Sequence, residues 1–434
     1  MRIVGFKEDK VLTKEDAEEP IRSVDKLSKK RKRKPKTAAT VSSVSAIPAQ
    51  TTRELLRIVR ASQPIPRVAV ARRLGVHRRR ITVLVKPLLD SGVLREGSPD
   101  RTISRGAGRP PIGLLFRTES EFLIGVNIGD SEIRLGAATV DGRLLSEEKF
   151  PTPREPETAL DQIRIAIEAQ QKAMPERQLA VIGISVPGPT DVEHGLLLYS
   201  PRLGWRDLPI ARTLGVNVPV IVENNATAAA VYESQRRRGR STTGDFVLVR
   251  AGTGIGVGLV IGGEVFRGTT PADIAGEFGH MTIVAGGKSC PCGNYGCWER
   301  YASAASAVEL YTGDTHRARL RSSLRFTDLV ARARAGERRA VVTLERVGSH
   351  LGIGIANVIC GLGVPNIVIS GELVHGWQYI EAAARSAIAM SLCGRLSQWT
   401  LEAGETHGAE LGGALEVAIE HYLLTIVGNN DVAA

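Results

Sequence analysis

Residues 275–300 read AGEFGHMTIVAGGKSCPCGNYGCWER, and the reading of this stretch decides the reading of the whole chain. It holds three of the five cysteines, Cys290, Cys292 and Cys297, with His280 upstream. Two thiols one residue apart, then a third past a Gly-rich turn, can converge on one point, and an imidazole completes a closed tetrahedral zinc shell. Gly293 and Gly296 supply the tight backbone that such convergence needs. The plainer alternative is a disulfide or a set of buried thiols. Against it, Cys290 and Cys292 stand too close to bridge each other easily, and no secretory signal points to an oxidising compartment. Four protein ligands leave no open position, so one structural Zn2+ per chain is expected, with no role in activating water. Cys360 and Cys393 lie in apolar surroundings and are expected as plain buried thiols.

Around this loop lie 434 residues, room for two or three domains and a sizeable core. The most apolar run, 351–364, is broken by glycines and Asn357 and stops at Pro365, too short to cross a bilayer. With no apolar signal core at the N-terminus, the expected place is the cytoplasm, at the nucleoid when bound to DNA, and not a membrane. The net charge of +11 is uneven. Residues 1–50 carry 13 basic against 7 acidic side chains, 51–117 carry 15 against 4, and 118–434 carry 29 against 35. A basic module on a mildly acidic body suggests a polyanion met by one part only.

Residues 1–50, with the basic run 29–36, show no sustained apolar period and are expected as a disordered tail. That run either adds non-specific phosphate attraction or is simply solvated. From Thr51 the pattern turns helical. Thr52 is expected to cap a first helix with Leu55, Leu56 and Val59 inward, and Pro66 to begin a second with Val70 and Leu74 inward. A third begins near His77, with Ile81, Leu84, Val85, Leu88 and Leu89 on one face and Arg78, Arg79, Thr82 and Lys86 on the other. This is a helix-turn-helix whose third helix would enter a major groove, with His77, Arg78, Arg79, Arg80, Thr82 and Lys86 as candidate DNA contacts. Pro87 is expected to kink or end that helix. The segment 93–117 suits a β wing turning at 97–100. Its Gly-Arg-Pro stretch at 106–111 is either a rigid linker or a minor-groove arm led by Arg109.

The body, 118–434, opens with strands at 122–126, 133–139 and 144–150, the last two joined by an Asp141-Gly142 hairpin turn. A helix is expected over 161–173 and strands over 179–186 and 218–222, the second running through Glu223-Asn224-Asn225 into a helix from Ala226. A strand at 246–250 enters Gly252-Thr253-Gly254-Ile255-Gly256-Val257-Gly258. These glycines could cradle phosphate with backbone N–H groups, or merely build a tight hairpin.

With these pieces in hand, residues 51–434 resemble the ROK family (repressor, open reading frame, kinase) in its repressor branch. The most specific carriers are Gly276-Glu277-Phe278-Gly279-His280 and Cys290-Pro291-Cys292-Gly293-Asn294-Tyr295-Gly296-Cys297-Trp298-Glu299. Gly188, Gly252-Thr253-Gly254, Glu223-Asn224-Asn225 and the strand 366–371 support them. The resemblance implies an α/β fold: a winged helix-turn-helix followed by a two-lobed actin-like (ribonuclease H-like) sugar kinase fold with a zinc-binding loop. It also implies that Asn224, Asn225, Glu277, His280 and Glu299 surround a sugar, with His280 serving the zinc as well.

Departures from the family's kinases shape the functional expectation. Asn225 stands where they place the Asp that accepts the sugar's proton, and an amide cannot do so; losing a general base costs on the order of 10² to 10⁴ in rate. Asn127 stands where a carboxylate would help place Mg2+, and Glu372 replaces the second glycine of a pair beside the nucleotide. The expectation is therefore a sugar-responsive DNA-binding regulator, a repressor, whose expected partners are a double-stranded operator, a sugar effector and a second copy of the chain in a homodimer or homotetramer. An active ATP-dependent sugar kinase with an accessory DNA-binding domain is the alternative.

Overall fold

A computed structural model of the protein describes residues 49–97, 112–239, 244–269, 274–313, 324–404 and 409–432. The tail 1–48, the expected wing tip and Arg109 lie outside the described residues.

The first described segment is helical: α1 (Ala49–Ser62), strand β1 (Ile65–Pro66), α2 (Arg67–Leu74) and α3 (Arg78–Asp90). Strands β2 (Leu94–Gly97) and β3 (Gly113–Phe116) pair antiparallel, and β1 adds to the far side of β3. The apolar faces close as their period dictates: Leu55, Leu56, Val59, Val70, Ile81, Leu84, Val85 and Leu88 are all buried. Three expectations change. Helix α1 starts at Ala49, so Thr52 lies inside it rather than capping it. Helix α3 does not end early at Pro87 but runs on to Asp90; Pro87 and Val83 are both exposed, so water can meet the carbonyl that the proline leaves without a donor. The returning strand is β3, so the Gly-Arg-Pro stretch falls within the connection between the two paired strands and not after them.

The body repeats one sheet plan twice. In the first lobe β4 (Glu121–Ile128), β5 (Glu132–Thr139) and β6 (Leu144–Pro151) form an antiparallel meander. After α4 (Pro156–Ala173), β7 (Gln178–Val186) joins β4 in parallel, and β11 (Val220–Asn224) joins β7. Between those two come β8 (Thr190–Asp191), β9 (Leu196–Ser200) and β10 (Trp205–Leu208) in a small sheet of their own, and helix α5 (Ile210–Leu214). Helix α6 (Asn225–Gly239) leads to the second lobe. There β12 (Phe246–Ala251), β13 (Ile255–Ile261) and β14 (Glu264–Phe266) form the meander, and β15 (Asn366–Ser370) and β16 (Thr400–Ala403) extend it in parallel. Three antiparallel strands followed by two parallel ones, once per lobe, is the actin-like plan. Strand β4 is buried almost throughout, as a strand covered on both faces must be.

The helix Ala409–Val432 closes the first lobe and is long and apolar enough to cross a membrane, but most of its apolar window is buried inside the protein. It lies close on the sheet because Gly125 and Gly183 have no side chains; a Cβ on Gly183 would stand 2.2 Å from the Ala414 carbonyl oxygen. Its far half, from Ala418 to Val427, shares one apolar core with the helices at the N-terminal end, including Leu55, Val59 and Leu88.

That junction is also charged. Arg57, only 4 % exposed, donates to Glu420 at 2.7 Å and to Glu264, while Arg53 donates to Glu420 at 2.9 Å. Arg60 pairs with Glu416 and donates to the Asp141 carbonyl. Part of the basic excess of residues 51–117 is thus spent inside the protein.

Cys360 and Cys393, expected as separate buried thiols, are joined in a disulfide between the helix Arg338–Leu362 and the turn of helix Leu392–Leu396. Cys360 is exposed and Cys393 half-buried; the apolar neighbours in sequence point to the other side of the helix.

Candidate functional site

His280 closes a short 3-10 turn, Glu277–His280, and the cysteine loop folds back beneath it. Gly293 and Gly296 adopt φ of +94° and +75°, the left-handed turns expected of them. The Sγ of Cys290 lies 3.6 Å from Nδ1 of His280, those of Cys292 and Cys297 are 3.8 Å apart, and all four donor atoms lie within 4.8 Å of one another. Zinc–sulfur bonds of about 2.3 Å at tetrahedral angles put sulfurs about 3.8 Å apart, so the donor set fits a zinc shell. Burial pushes the Cys290 thiol well above its ordinary value and the Glu299 carboxylate, 3.2 Å away, adds to the shift. Trp298 anchors the loop: fully buried, it stacks its ring against Gly354 of the helix Arg338–Leu362 and donates Nε1–H to the His350 carbonyl at 3.0 Å.

The other ring nitrogen of His280, Nε2, lies 3.6 Å from Glu277 and faces a cleft of about 420 Å3 lined from both lobes. Asn224, Asn225, Glu277, His280 and Glu299 all line this cleft, so the five residues expected around a sugar do come together. A ligand on Nδ1 fixes the tautomer and leaves Nε2–H as a donor toward the cleft. Burial pushes the Glu277 carboxyl up; the His280 imidazole opposes that shift and the Glu299 charge adds to it. A second depression, about 490 Å3 between β6 and α4, is lined by Phe150, Ile165 and their neighbours and has only Glu148 as a titratable group.

One of the five differs in detail from expectation. Asn224 is largely spent on structure: its Oδ1 accepts from Ala226 N at 2.8 Å, capping α6, and its Nδ2 donates to the Gly188 carbonyl at 2.9 Å. One amide hydrogen remains for a ligand. Asn225, next in line, has its side chain in the cleft with no hydrogen-bond partner among the described residues. Asn127 is buried and donates Nδ2 to Ser185 Oγ at 2.8 Å.

The phosphate-cradle reading of the glycine run is not what its later glycines are for. Gly256 and Gly258 sit in β13, where a Cβ would strike Ala226 and Ala230 of α6. They let α6 lie against the second sheet.

Charged residues that the sequence did not single out cross the cleft. Arg202, from the β9–β10 loop, donates to the Thr253 carbonyl at 2.7 Å and reaches Glu299 at 3.5 Å and Asp130 at 4.0 Å. Arg250 of β12 pairs at 2.8 Å with Glu410, in the first turn of the last helix. Outside the cleft lining, Glu223, which the sequence marked only as part of the 223–225 junction, is fully buried and paired at 2.7 Å with Arg267, which follows β14 in the other lobe. Sequence spacing gives no sign of such partners; only the strand-end positions of Glu223 and Arg250 hint at them.

On α3, Arg78, Arg79, Arg80, Thr82 and Lys86 are all exposed on one continuous surface. His77 caps the helix, its Nδ1 accepting from Arg79 N, and Lys86 is paired with Asp90. Val83, 58 % exposed, stands among them and was missed; an apolar side chain there can meet a thymine methyl.

Residues 123–421 match the ROK family. The chain is 26 % identical over 377 residues to the xylose repressor of Bacillus subtilis (strain 168), covering 85 % of this chain and 94 % of the relative. It is 36 % identical to a glucokinase of Streptomyces coelicolor over 187 residues, 43 % of this chain and 57 % of that one. Among solved structures, a ROK family transcriptional regulator described as a homologue of the E. coli Mlc protein superposes with a TM-score of 0.70 at 23 % identity, over 89 % of this chain and all of that one.

Proposed function

We propose that this chain, which belongs to the ROK family, is a sugar-responsive DNA-binding repressor of carbohydrate metabolism that holds its sugar without phosphorylating it. Residues 51–117 are the winged helix-turn-helix, reading DNA with His77, Arg78, Arg79, Arg80, Thr82 and Lys86, and with Arg109 in the wing connection. Residues 118–434 are the sensor. Asn224, Asn225, Glu277, His280 and Glu299 hold the sugar: carboxylates accept hydroxyl hydrogens, the amides give and take, and Nε2–H of His280 donates. His280, Cys290, Cys292 and Cys297 hold a structural zinc, whose contribution is to fix the loop and the imidazole that faces the sugar. The protein works in the cytoplasm as a homodimer or homotetramer.

The observation that carries this reading is the course of the helix Ala409–Val432. Its first turn carries Glu410 on the cleft wall, and two and three turns later Glu416 and Glu420 grip Arg60, Arg57 and Arg53 of α1. A change in lobe spacing at the cleft is therefore delivered to the DNA-reading helices through one rigid element. A sugar shifts DNA affinity only as far as it prefers one lobe arrangement to the other. The xylose repressor likeness spans 85 % of the chain and the glucokinase likenesses in sequence 43–57 %, which supports the same reading.

The kinase reading keeps support from that glucokinase likeness; Asn225, Asn127 and Glu372 stand against it. The test of regulation is anisotropy of labelled operator DNA titrated with the zinc-loaded chain with and without each member of a sugar panel. One sugar should change the affinity at least fivefold, the low end of typical coupling; affinity unchanged by a sugar that binds the protein would refute ligand control.

A further inference from the structure

The cleft is a negatively charged one whose cations are already taken. Among the described residues six carboxylates line it, those of Asp130, Glu132, Glu277, Glu299, Glu372 and Glu410, against three guanidiniums and no lysine. Each guanidinium has a carboxylate partner from that same lining. Arg250 is with Glu410 at 2.8 Å, Arg134 with Glu132 at 2.9 Å, and Arg202 with Glu299 at 3.5 Å. Glu372 then stands with no cation of the described lining beside it, and Glu277 has only the His280 imidazole, at 3.6 Å. The zinc shell proposed behind this wall, with three thiolates on a doubly charged ion, adds one further negative charge.

A phosphate group needs the opposite: an uncommitted guanidinium or ammonium, or several backbone N–H groups converging at a helix or loop terminus. The described lining offers no free cation. In the glycine turn the Gly252 N–H is already donated to the Gly254 carbonyl. A ligand carrying phosphate would have to separate Arg250 from Glu410 or Arg202 from Glu299, leaving a carboxylate unpaired beside the incoming anion. Specificity by such repulsion is as effective as specificity by attraction.

We infer that the cleft accepts an uncharged, unphosphorylated sugar and rejects both sugar phosphates and nucleotides. This rests on the sugar-sensing reading and narrows it to a ligand class. The sugar sensed is then one that reaches the protein ahead of any phosphorylating step.

The test is isothermal calorimetry on the full zinc-loaded chain with D-glucose, D-xylose and N-acetyl-D-glucosamine, each beside its terminal phosphate ester, and with ATP and its non-hydrolysable analogue in Mg2+. A parent sugar should bind at least tenfold more tightly than its ester, with no heat from either nucleotide. The double variant Glu372→Gln/Glu410→Gln, which frees Arg250 and removes two charges, should gain at least tenfold for the ester or the nucleotide while the parent sugar changes little. An ester tighter than its parent sugar, or a nucleotide bound by the wild type as tightly as the sugar, would overturn the inference and leave the sensor reading standing. Binding of neither sugars nor esters would remove the sensor reading itself, and this inference with it.

Discussion

Arg57 of the first helix and Glu420 of the last, 363 residues apart in sequence, meet at 2.7 Å in a largely buried junction between the N-terminal helices and the first lobe. Burial alone would weaken the charge on Arg57, but Glu264 and Glu420 hold its proton on more firmly than in water. A fixed pair of this kind makes the N-terminal helices a part of the first lobe rather than a tethered appendage. Stranding a buried charge completely typically costs about 3–5 kcal/mol; without Arg57, Glu420 keeps only Arg53, at 2.9 Å, so the loss is a part of that. The variant Arg57→Ala should therefore lower the denaturation midpoint clearly. It should also weaken any effect of sugar on DNA affinity, since the lever then ends in a loose joint. An unchanged midpoint together with unchanged coupling would show that the apolar contacts of the junction suffice.

The same junction sets a pH dependence. Burial alone would raise the Glu420 carboxyl, yet the Arg57 and Arg53 charges outweigh that and hold it at about 2, below the ordinary 4.5. A depressed value in the folded state means stability fully present above 4.5 and lost as pH falls from there toward 2. The comparison is wild type against Glu420→Gln in denaturant melts. The wild type's advantage should be constant from neutral pH down to about 5 and shrink below about 4. Acid release of metal is common to both proteins and cancels in the difference.

DNA affinity should respond to point changes on the exposed face of α3. The variants Arg78→Ala and Arg79→Ala should each weaken binding and, where phosphate is the contact, reduce the salt slope by about 1. Cutting away residues 1–117 is a poorer test than the sequence suggests. It strips Glu416 and Glu420 of their arginines and is expected to destabilise the sensor as well as remove DNA binding. Wild-type affinity in the double variant Arg78→Ala/Arg79→Ala, measured by the same anisotropy assay, would move the DNA contact elsewhere.

Metal analysis should find about one zinc per chain. The variants Cys290→Ser and Cys292→Ser should each lose most of it and, because Nδ1 of His280 would then lack its partner, lose sugar affinity too. Fully loaded Cys290→Ser protein would rule out the assignment of the four ligands.

Much of this was legible in the sequence where residue type announces its chemistry. Cysteines at close spacing, His280 and the apolar periods of α1 and α3 each have few other uses. What stayed hidden are contacts whose partners lie far along the chain. Arg53, Arg57 and Arg60 count as positive charge in any sequence tally, yet their guanidiniums face the body and not a polyanion. Arg202 and Glu410 meet the cleft only because separate strands and helices end there. Gly256 and Gly258 look like phosphate-binding glycines, but their reason is the close approach of α6, which no local pattern reveals. Asn224 shows the same limit in miniature: its type suits a sugar, and its position as the cap of α6 uses most of its hydrogen-bonding capacity.

The central claim, a sugar site that has kept its ligand and lost its chemistry, is tested most directly by ATP consumption. The zinc-loaded wild type, Asn225→Asp and Glu277→Ala are followed with Mg2+ and the sugar that most stabilises the wild type. The account predicts no sugar-dependent turnover in the wild type and little in Asn225→Asp, because Asn127 and Glu372 remain. It predicts sugar binding kept in Asn225→Asp and lost in Glu277→Ala, where a buried hydroxyl loses a charged acceptor worth roughly 1.5–3 kcal/mol. Sustained, sugar-dependent ATP consumption by the wild type would contradict it.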